Sequence, residues 1–237
     1  MRIHFHGDYH GPDGYMQGQK WAQQMGADLI IQVGDFWAYD GGRGQTVPAD
    51  WYPVPVHFIA GNHEKARVLN KDKKHAPTIK YMRDYTAMEI GGLVFGFIGR
   101  IQKSKNHVMM INDGWDIGQT LEHRIWLRES ESALEAMGEV DILVTHDMPW
   151  PERNDFLTQT IHQLRPSYAV HGHMHQTMRR LIDHDDGTRF YTTVDGLAPC
   201  DPYSFPGVRD VVMLDTETRT LARDCEMKTL LVPEMVR

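Results

Sequence analysis

The sequence predicts an α/β sandwich with two central sheets and helices outside them. Short apolar runs alternate with helical stretches in the first part of the chain. Hairpin-spaced runs dominate the last part, and nearly every polar cluster begins where an apolar run ends. The first two observations set the layers. The third sets the place of a site, because side chains at the carboxyl ends of strands converge on one edge of an open sheet.

Strands are predicted at Ile3–His6, Leu29–Val33 and Val54–Ala60, each a short run rich in branched or aromatic residues. Thr86–Ile90 and Leu93–Ile98 flank Gly91-Gly92, a hairpin signal. Ile142–Thr145 and Tyr168–Val170 follow as buried aliphatic runs. Met178–Asp183 and Arg189–Val194 flank Asp185-Asp186-Gly187, and Val211–Leu214 pairs with Leu221–Cys225. Helices are predicted at Tyr15–Met25 and Gln119–Met137, the latter capped by Asp116 and stopped by Gly138. Lys65–Tyr85 reads as a helix with an exposed insertion, and Arg100–Trp115 as a long loop.

Composition bounds the function. The 237 residues suit a single domain spanning 1–237, and 41% hydrophobic against 24% charged residues supports a packed core. A formal net charge of −7 argues against sequence-independent binding of long nucleic acid. Cys200 and Cys225 form neither a metal-type pair nor a disulfide framework, which with the polar start Met1–His6 points to a reducing, cytoplasmic setting. No run approaches the ~18 apolar residues of a membrane span, so no membrane partner is expected.

Histidine stands out, with 14 residues. His57, His123, His162 and His184 read as core or surface residues without a role. The others are judged by their neighbours, and six of them fall in clusters. Gly7-Asp8-Tyr9-His10-Gly11 places a carboxylate and an imidazole two apart at a strand end. Val33-Gly34-Asp35 closes the second strand with a carboxylate able to bridge two cations. Ala60-Gly61-Asn62-His63-Glu64 adds a neutral oxygen ligand and a histidine suited to proton transfer. Val144-Thr145-His146-Asp147 ends a buried strand in a histidine. His171-Gly172-His173-Met174-His175 holds three histidines in five residues, too dense for packing alone.

Five such motifs in this order, over roughly residues 1–200, resemble the calcineurin-like metallophosphoesterase family. The resemblance implies a four-layer α/β/β/α sandwich with two central mixed sheets. It implies one metal held by Asp8, His10 and His175, a second held by Asn62, His146 and His173, and Asp35 as the bridge. Imidazole mixed with hard oxygen suits Mn²⁺ first, with Fe, Zn²⁺ or Ni²⁺ as alternatives, and gives Mg²⁺ or Ca²⁺ little advantage. The implied reaction is hydrolysis of a small phosphodiester or nucleotide by metal-activated hydroxide, with His63 as the general acid. Alternatives are a phosphomonoesterase or protein phosphatase-like enzyme, a nuclease, or a non-catalytic metal-binding interaction module.

One departure from the family bears on mechanism. Many members read G-D-x-x-D at the second motif, whereas this chain reads Gly34-Asp35-Phe36-Trp37-Ala38. The acid that would orient His63 is therefore missing at Ala38, and Asp40, Asp147 and Glu64 are the candidate substitutes. The arginine that follows this second acid in protein Ser/Thr phosphatases is also absent, which weakens that reading. Arg100, Lys103, Lys105 and His107 read as a basic loop that a substrate phosphate could use. Trp37, Tyr39, Trp51 and Tyr52 read as loop packing, with base stacking as the second reading.

Overall fold

The computed structural model describes residues 1–36, 54–64, 78–100, 132–150, 155–184, 190–200, 210–224 and 228–231. The chain runs β1 (Arg2–His6), α1 (Pro12–Gln24), β2 (Leu29–Gln32), β3 (Val56–Phe58), β4 (Ile79–Tyr81), β5 (Thr86–Ile90), β6 (Leu93–Ile98) and β7 (Ile142–Thr145). It continues with α2 (Asp155–Leu164), β8 (Tyr168–His171), β9 (Met178–Asp183), β10 (Tyr191–Gly196), β11 (Val211–Asp215), β12 (Thr220–Arg223) and β13 (Lys228–Leu231). Residues 132–137 are also helical.

Seven strands form one sheet in the order β13-β12-β11-β1-β2-β3-β4, and six form the other in the order β5-β6-β7-β8-β10-β9. Both are mixed. β1 through β4 run parallel while β11 joins β1 antiparallel. β6, β7, β8 and β10 run parallel while β5 and β9 close the two edges antiparallel.

The two-residue period of a strand sorts side chains between layers. In β1, Ile3 and Phe5 enter a core that also holds Ile31 of β2, Phe95 and Phe97 of β6, Val144 of β7, Val170 of β8 and Leu214 of β11. This is the contact between the two sheets. Alternate residues face outward: Ile30, Val56 and Phe58 meet Tyr15 and Ala22 of α1. Leu143, Ala169 and Val194 meet Leu134 and Met137 of the 132–137 helix and Leu157, Ile161 and Leu164 of α2. Helix, sheet, sheet and helix thus make four layers, as the sequence predicts. No described helix is long and apolar enough to cross a membrane.

Several boundaries differ from the sequence reading. α1 begins at Pro12, earlier than Tyr15, because proline in the first turn brings a pre-set φ and lacks only an N–H that would have no helical partner. Within Lys65–Tyr85, residues 79–81 form β4 rather than helix; pairing with β3 overrides the Lys-rich context. Residues 65–77 lie outside the described set, as do Asp116 and residues 119–131. Gly138 does end its helix, at φ 67°. β10 is Tyr191–Gly196, shifted two residues toward the C-terminus, and α2 and β13 are additions.

Candidate metal centre

Every predicted ligand follows a parallel strand. Asp8 and His10 follow β1, Asp35 follows β2, and Asn62 and His63 follow β3. His146 follows β7 directly, and His173 and His175 follow β8. The chain must leave each strand sharply to aim these side chains inward. His10, Asp35, His173 and His175 all take positive φ, at 50°, 54°, 60° and 52°. Such backbone is uncommon outside glycine, though Asp and His tolerate it best.

The side chains converge. Ligand atoms of Asp8, His10 and His175 lie within 4.8 Å of one another, as do those of Asp35, His146 and His173, and those of His10, Asp35 and His63. Asp35 and His10 each belong to two groups, so the three are one continuous centre. Nε2 of His10 is 2.9 Å from Nε2 of His175, which is 3.0 Å from Asp8 Oδ2. Nε2 of His146 is 3.0 Å from Asn62 Oδ1 and 3.6 Å from Asp35 Oδ1. The His146 ring is oriented from behind: its Nδ1–H donates to the Val33 carbonyl at 2.8 Å. That bond fixes Nδ1 as a donor and turns Nε2 toward Asn62 and Asp35.

These contacts fit divalent cations. Asp8 and Asp35 are 0% and 1% exposed, so two carboxylates are buried with imidazoles as near neighbours. Burial works to raise the Asp8 pKa, but the His175 hydrogen bond and the charges of His146, His10 and His175 bring it below the ordinary value. The Asp8 hydrogen bond raises His175. Burial opposes a charge on His146, yet Asp35 and Asp8 outweigh it and its pKa is raised. Burial lowers His10 and His173. Two imidazole nitrogens 2.9 Å apart beside a buried carboxylate form a donor set that a divalent cation fits.

His63 stands at the open side, with its side chain 45% exposed and Nε2 3.8 Å from Asp35 Oδ2. Its backbone N–H donates to Asp35 Oδ1 at 3.0 Å. Of the candidates for orienting it, Glu64 has a different position: its Oε2 accepts from the backbone N–H groups of Asp35, at 3.0 Å, and Gly61. Glu64 therefore ties the third motif to the second. Asp147 Oδ1 accepts from the Met148 amide at 2.9 Å. Asp40 and Ala38 lie outside the described residues, as do Trp37, Tyr39, Trp51, Tyr52, Lys103, Lys105, His107 and His123.

Arg100 is described and begins where β6 ends. Its N–H donates to the Ala60 carbonyl at 2.5 Å, its φ is 59°, and Nε is 3.8 Å from half-buried Asp84. His171, first of the dense run, stays apart from the ligands; its Nδ1–H donates to the Gly172 carbonyl, and burial lowers its pKa to about 4. His184 bonds Thr192 at 2.8 Å, and His57 lies within β3, both in structural positions.

Sequence reasoning did not single out the glycines that make room. A methyl at Gly172 would strike Asp8 Oδ1, one at Gly34 would strike His146 Nδ1, and one at Gly61 would strike Asp35. Their positions inside the motifs were the available signal.

No curated protein matches the sequence. Solved structures share the fold. The structure of "GAP50 the anchor in the inner membrane complex of Plasmodium" aligns at TM-score 0.53 and 13% identity, covering 98% of this chain and 87% of that one. TT1561 of Thermus thermophilus aligns at TM-score 0.52 and 13% identity, covering 98% of both chains. A family model described as calcineurin-like phosphoesterase matches residues 1–177, a span holding all seven predicted ligands and His63. By that match, with the convergent centre beside it, the chain belongs to the calcineurin-like phosphoesterase family, which implies metal-dependent phosphoester hydrolysis.

Proposed function

We propose that the chain is a phosphodiesterase acting on small phosphodiesters or nucleotides, with 1–237 as one domain. Asp8, His10 and His175 would hold one divalent cation and Asn62, His146 and His173 a second, with Asp35 shared. Mn²⁺ is the first choice for this donor set. The observation that carries the reading is the continuity of the three ligand groups through Asp35 and His10. Divalent cations in such a centre supply Lewis acidity and a nucleophilic water. The chain's own residues do the rest. Val33 fixes the His146 ring, Asp35 accepts the His63 amide, and exposed His63 is placed to protonate the departing oxygen.

The diester preference rests on charge. A monoester near neutral pH carries close to two negative charges and a diester one. Tyr39, not arginine, follows Ala38 at the end of the second motif, where protein phosphatases carry arginine, and the net charge is −7. One observation favours a second reading, a phosphomonoesterase: the backbone N–H of Arg100 bonds the Ala60 carbonyl, which brings a cationic residue beside Gly61-Asn62-His63. The deciding assay compares bis(p-nitrophenyl) phosphate with p-nitrophenyl phosphate in Mn²⁺. Higher kcat/KM on the diester is expected, and a clear monoester preference overturns it. Asp35→Asn should lose metal and activity together. Two metals per chain by elemental analysis with full activity would refute the ligand assignment.

A further inference from the structure

Outside the centre, buried Arg223, Asp210 and Asp195 cluster with half-buried Arg179. All four lie beyond the last residue matched by the family model. Arg223 Nε and Nη2 donate to the two oxygens of Asp210, each at 2.8 Å. The remaining donors of Arg223 reach Asp195 Oδ1 at 3.3 Å, the Met178 carbonyl at 3.0 Å and the Gly196 carbonyl at 2.7 Å. Arg179 pairs with Asp195 through Nε at 2.7 Å, and the Tyr168 hydroxyl donates to Asp195 at 3.0 Å. Two arginines and two aspartates balance. Fork-to-fork pairing, with Arg223 bonded through all three of its nitrogens, gives a rigid unit.

The unit spans both sheets. Asp210 and Arg223 belong to the β11–β12 side, Asp195 to β10 and Arg179 to β9. Its output is one atom, Asp210 Oδ2. That oxygen accepts the Thr177 hydroxyl at 2.6 Å and the Ala198 amide at 2.9 Å. Thr177 is two residues after His175. The Ala198 strand end leads to Cys200, whose N–H donates to the Asp8 carbonyl at 2.9 Å. One carboxylate therefore braces two ligands of the same group, Asp8 and His175. The other group is braced elsewhere: His146 by Val33, Asp35 by Glu64, and His173 through its amide to Asp8 at 3.1 Å.

We infer that Asp210, locked by Arg223, is a positioning residue that sets the distance between Asp8 and His175, and so tunes that cation subsite more than the other. The inference rests on the two-cation reading above. Neither residue touches substrate. They act by holding the ends of the loop whose strained backbone, at φ 60° for His173 and 52° for His175, would otherwise relax.

The test removes the bond gently. Thr177→Val keeps the shape and deletes the hydroxyl, Thr177→Ser restores it, and Asp210→Asn weakens the whole brace. Mn²⁺ binding is followed by calorimetry and by electron paramagnetic resonance, which separates paired from single Mn²⁺. Thermal unfolding of the metal-free proteins runs in parallel. Wild type should bind two Mn²⁺. Thr177→Val should lose about 10–100-fold in affinity at one subsite, as removal of an outer partner does. The other subsite, which shares only His173 with that loop, should weaken less, the paired signal should give way to a single one, and Thr177→Ser should recover. Unchanged affinity at both subsites in Thr177→Val and Asp210→Asn overturns the inference. So does equal weakening of both with a matching fall in metal-free stability, which marks a purely structural tie. Failure of wild type to bind Mn²⁺ would instead overturn the cation reading itself.

Discussion

Gly61→Ala probes whether Asp35 must sit where it does. Gly61 has no positive φ in need of glycine, so alanine changes space and not backbone preference. Its methyl would overlap the Asp35 amide and Oδ1 and come to 2.7 Å from Asp35 Cγ. Ordinary carbon contact begins near 3.4 Å, so the carboxyl carbon must retreat by 3.4 − 2.7, at least 0.7 Å. The Asp35 main chain cannot follow freely, because Glu64 holds its N–H at 3.0 Å. Asp35 belongs to two ligand groups, so the displacement spoils both. Misplacement near 1 Å at a reacting centre costs about 10²-fold in rate, and 10²-fold is about 2.7 kcal/mol of barrier. Overpacking should also cost about 1–3 kcal/mol of stability. Gly92→Ala is the control: it lies at φ 79° with no neighbour within 4 Å, so it should lose stability and keep kcat. Diester hydrolysis and metal content are measured on both variants. If Gly61→Ala retains two metals and more than about a third of wild-type kcat, Asp35 is not the shared ligand.

Three further outcomes follow from other residues. His63→Ala should keep its metals while kcat falls about 10²–10⁴-fold, with smaller losses on nitrophenyl than on alkyl esters; equal losses would indicate positioning, not proton donation. Arg100→Ala should lower kcat/KM for the monoester more than for the diester if its charge meets the second negative charge; equal effects would place Arg100 in packing. His4 is 0% exposed, and burial, followed by the Arg2 charge, lowers its pKa from 6.5 to about 4. Below pH 6.5 the unfolded chain therefore binds a proton that folded His4 refuses until about pH 4, so stability falls through that window. At pH 5 the difference of about 1.5 units is worth about 2 kcal/mol. Denaturation of the metal-free protein at about pH 7 and pH 5 should show about 2 kcal/mol less loss in His4→Leu than in wild type, the remainder coming from other buried histidines such as His171; equal pH dependence would remove His4 as a cause.

The convergence of the five motifs was legible because each follows a strand that is itself legible. Apolar runs such as Leu29–Ile31 and Ile142–Val144 announce buried parallel strands, and the polar residues after them have no packing use. The boundaries that shifted are those decided by partners. β4 is three residues long and exists by pairing with β3, a contact no local pattern reports. α2 carries Leu157, Ile161 and Leu164 on one face, a helical period that was available but short. The brace through Asp210 and Arg223 was not legible, because its members are scattered over four strands or strand ends and each resembles a surface charge in isolation. Glu64 was legible as a nearby carboxylate, but its role depends on which amides stand beside it.

Strain explains why so much of the fold surrounds so small a centre. Four ligand-bearing residues occupy the left-handed region, at about 1–2 kcal/mol each for an ordinary side chain and less for Asp and His. That conformation is what turns the side chain back over the strand end instead of continuing the pleat outward. Buried carboxylates at Asp8 and Asp35 add an electrostatic cost that only positive charge offsets. A metal-free centre therefore has two reasons to relax: its backbone is bent and its charges are crowded. The contacts that resist are backbone bonds from behind the ligands: Val33 to His146, Glu64 to Asp35, Cys200 to Asp8, and Asp8 to His173. They come from both sheets, so the centre keeps its spacing only while the sheets hold theirs. The core between the sheets, with Phe5, Phe95 and Val144 in contact behind the strand ends, is in this sense the outermost support of the ligand geometry.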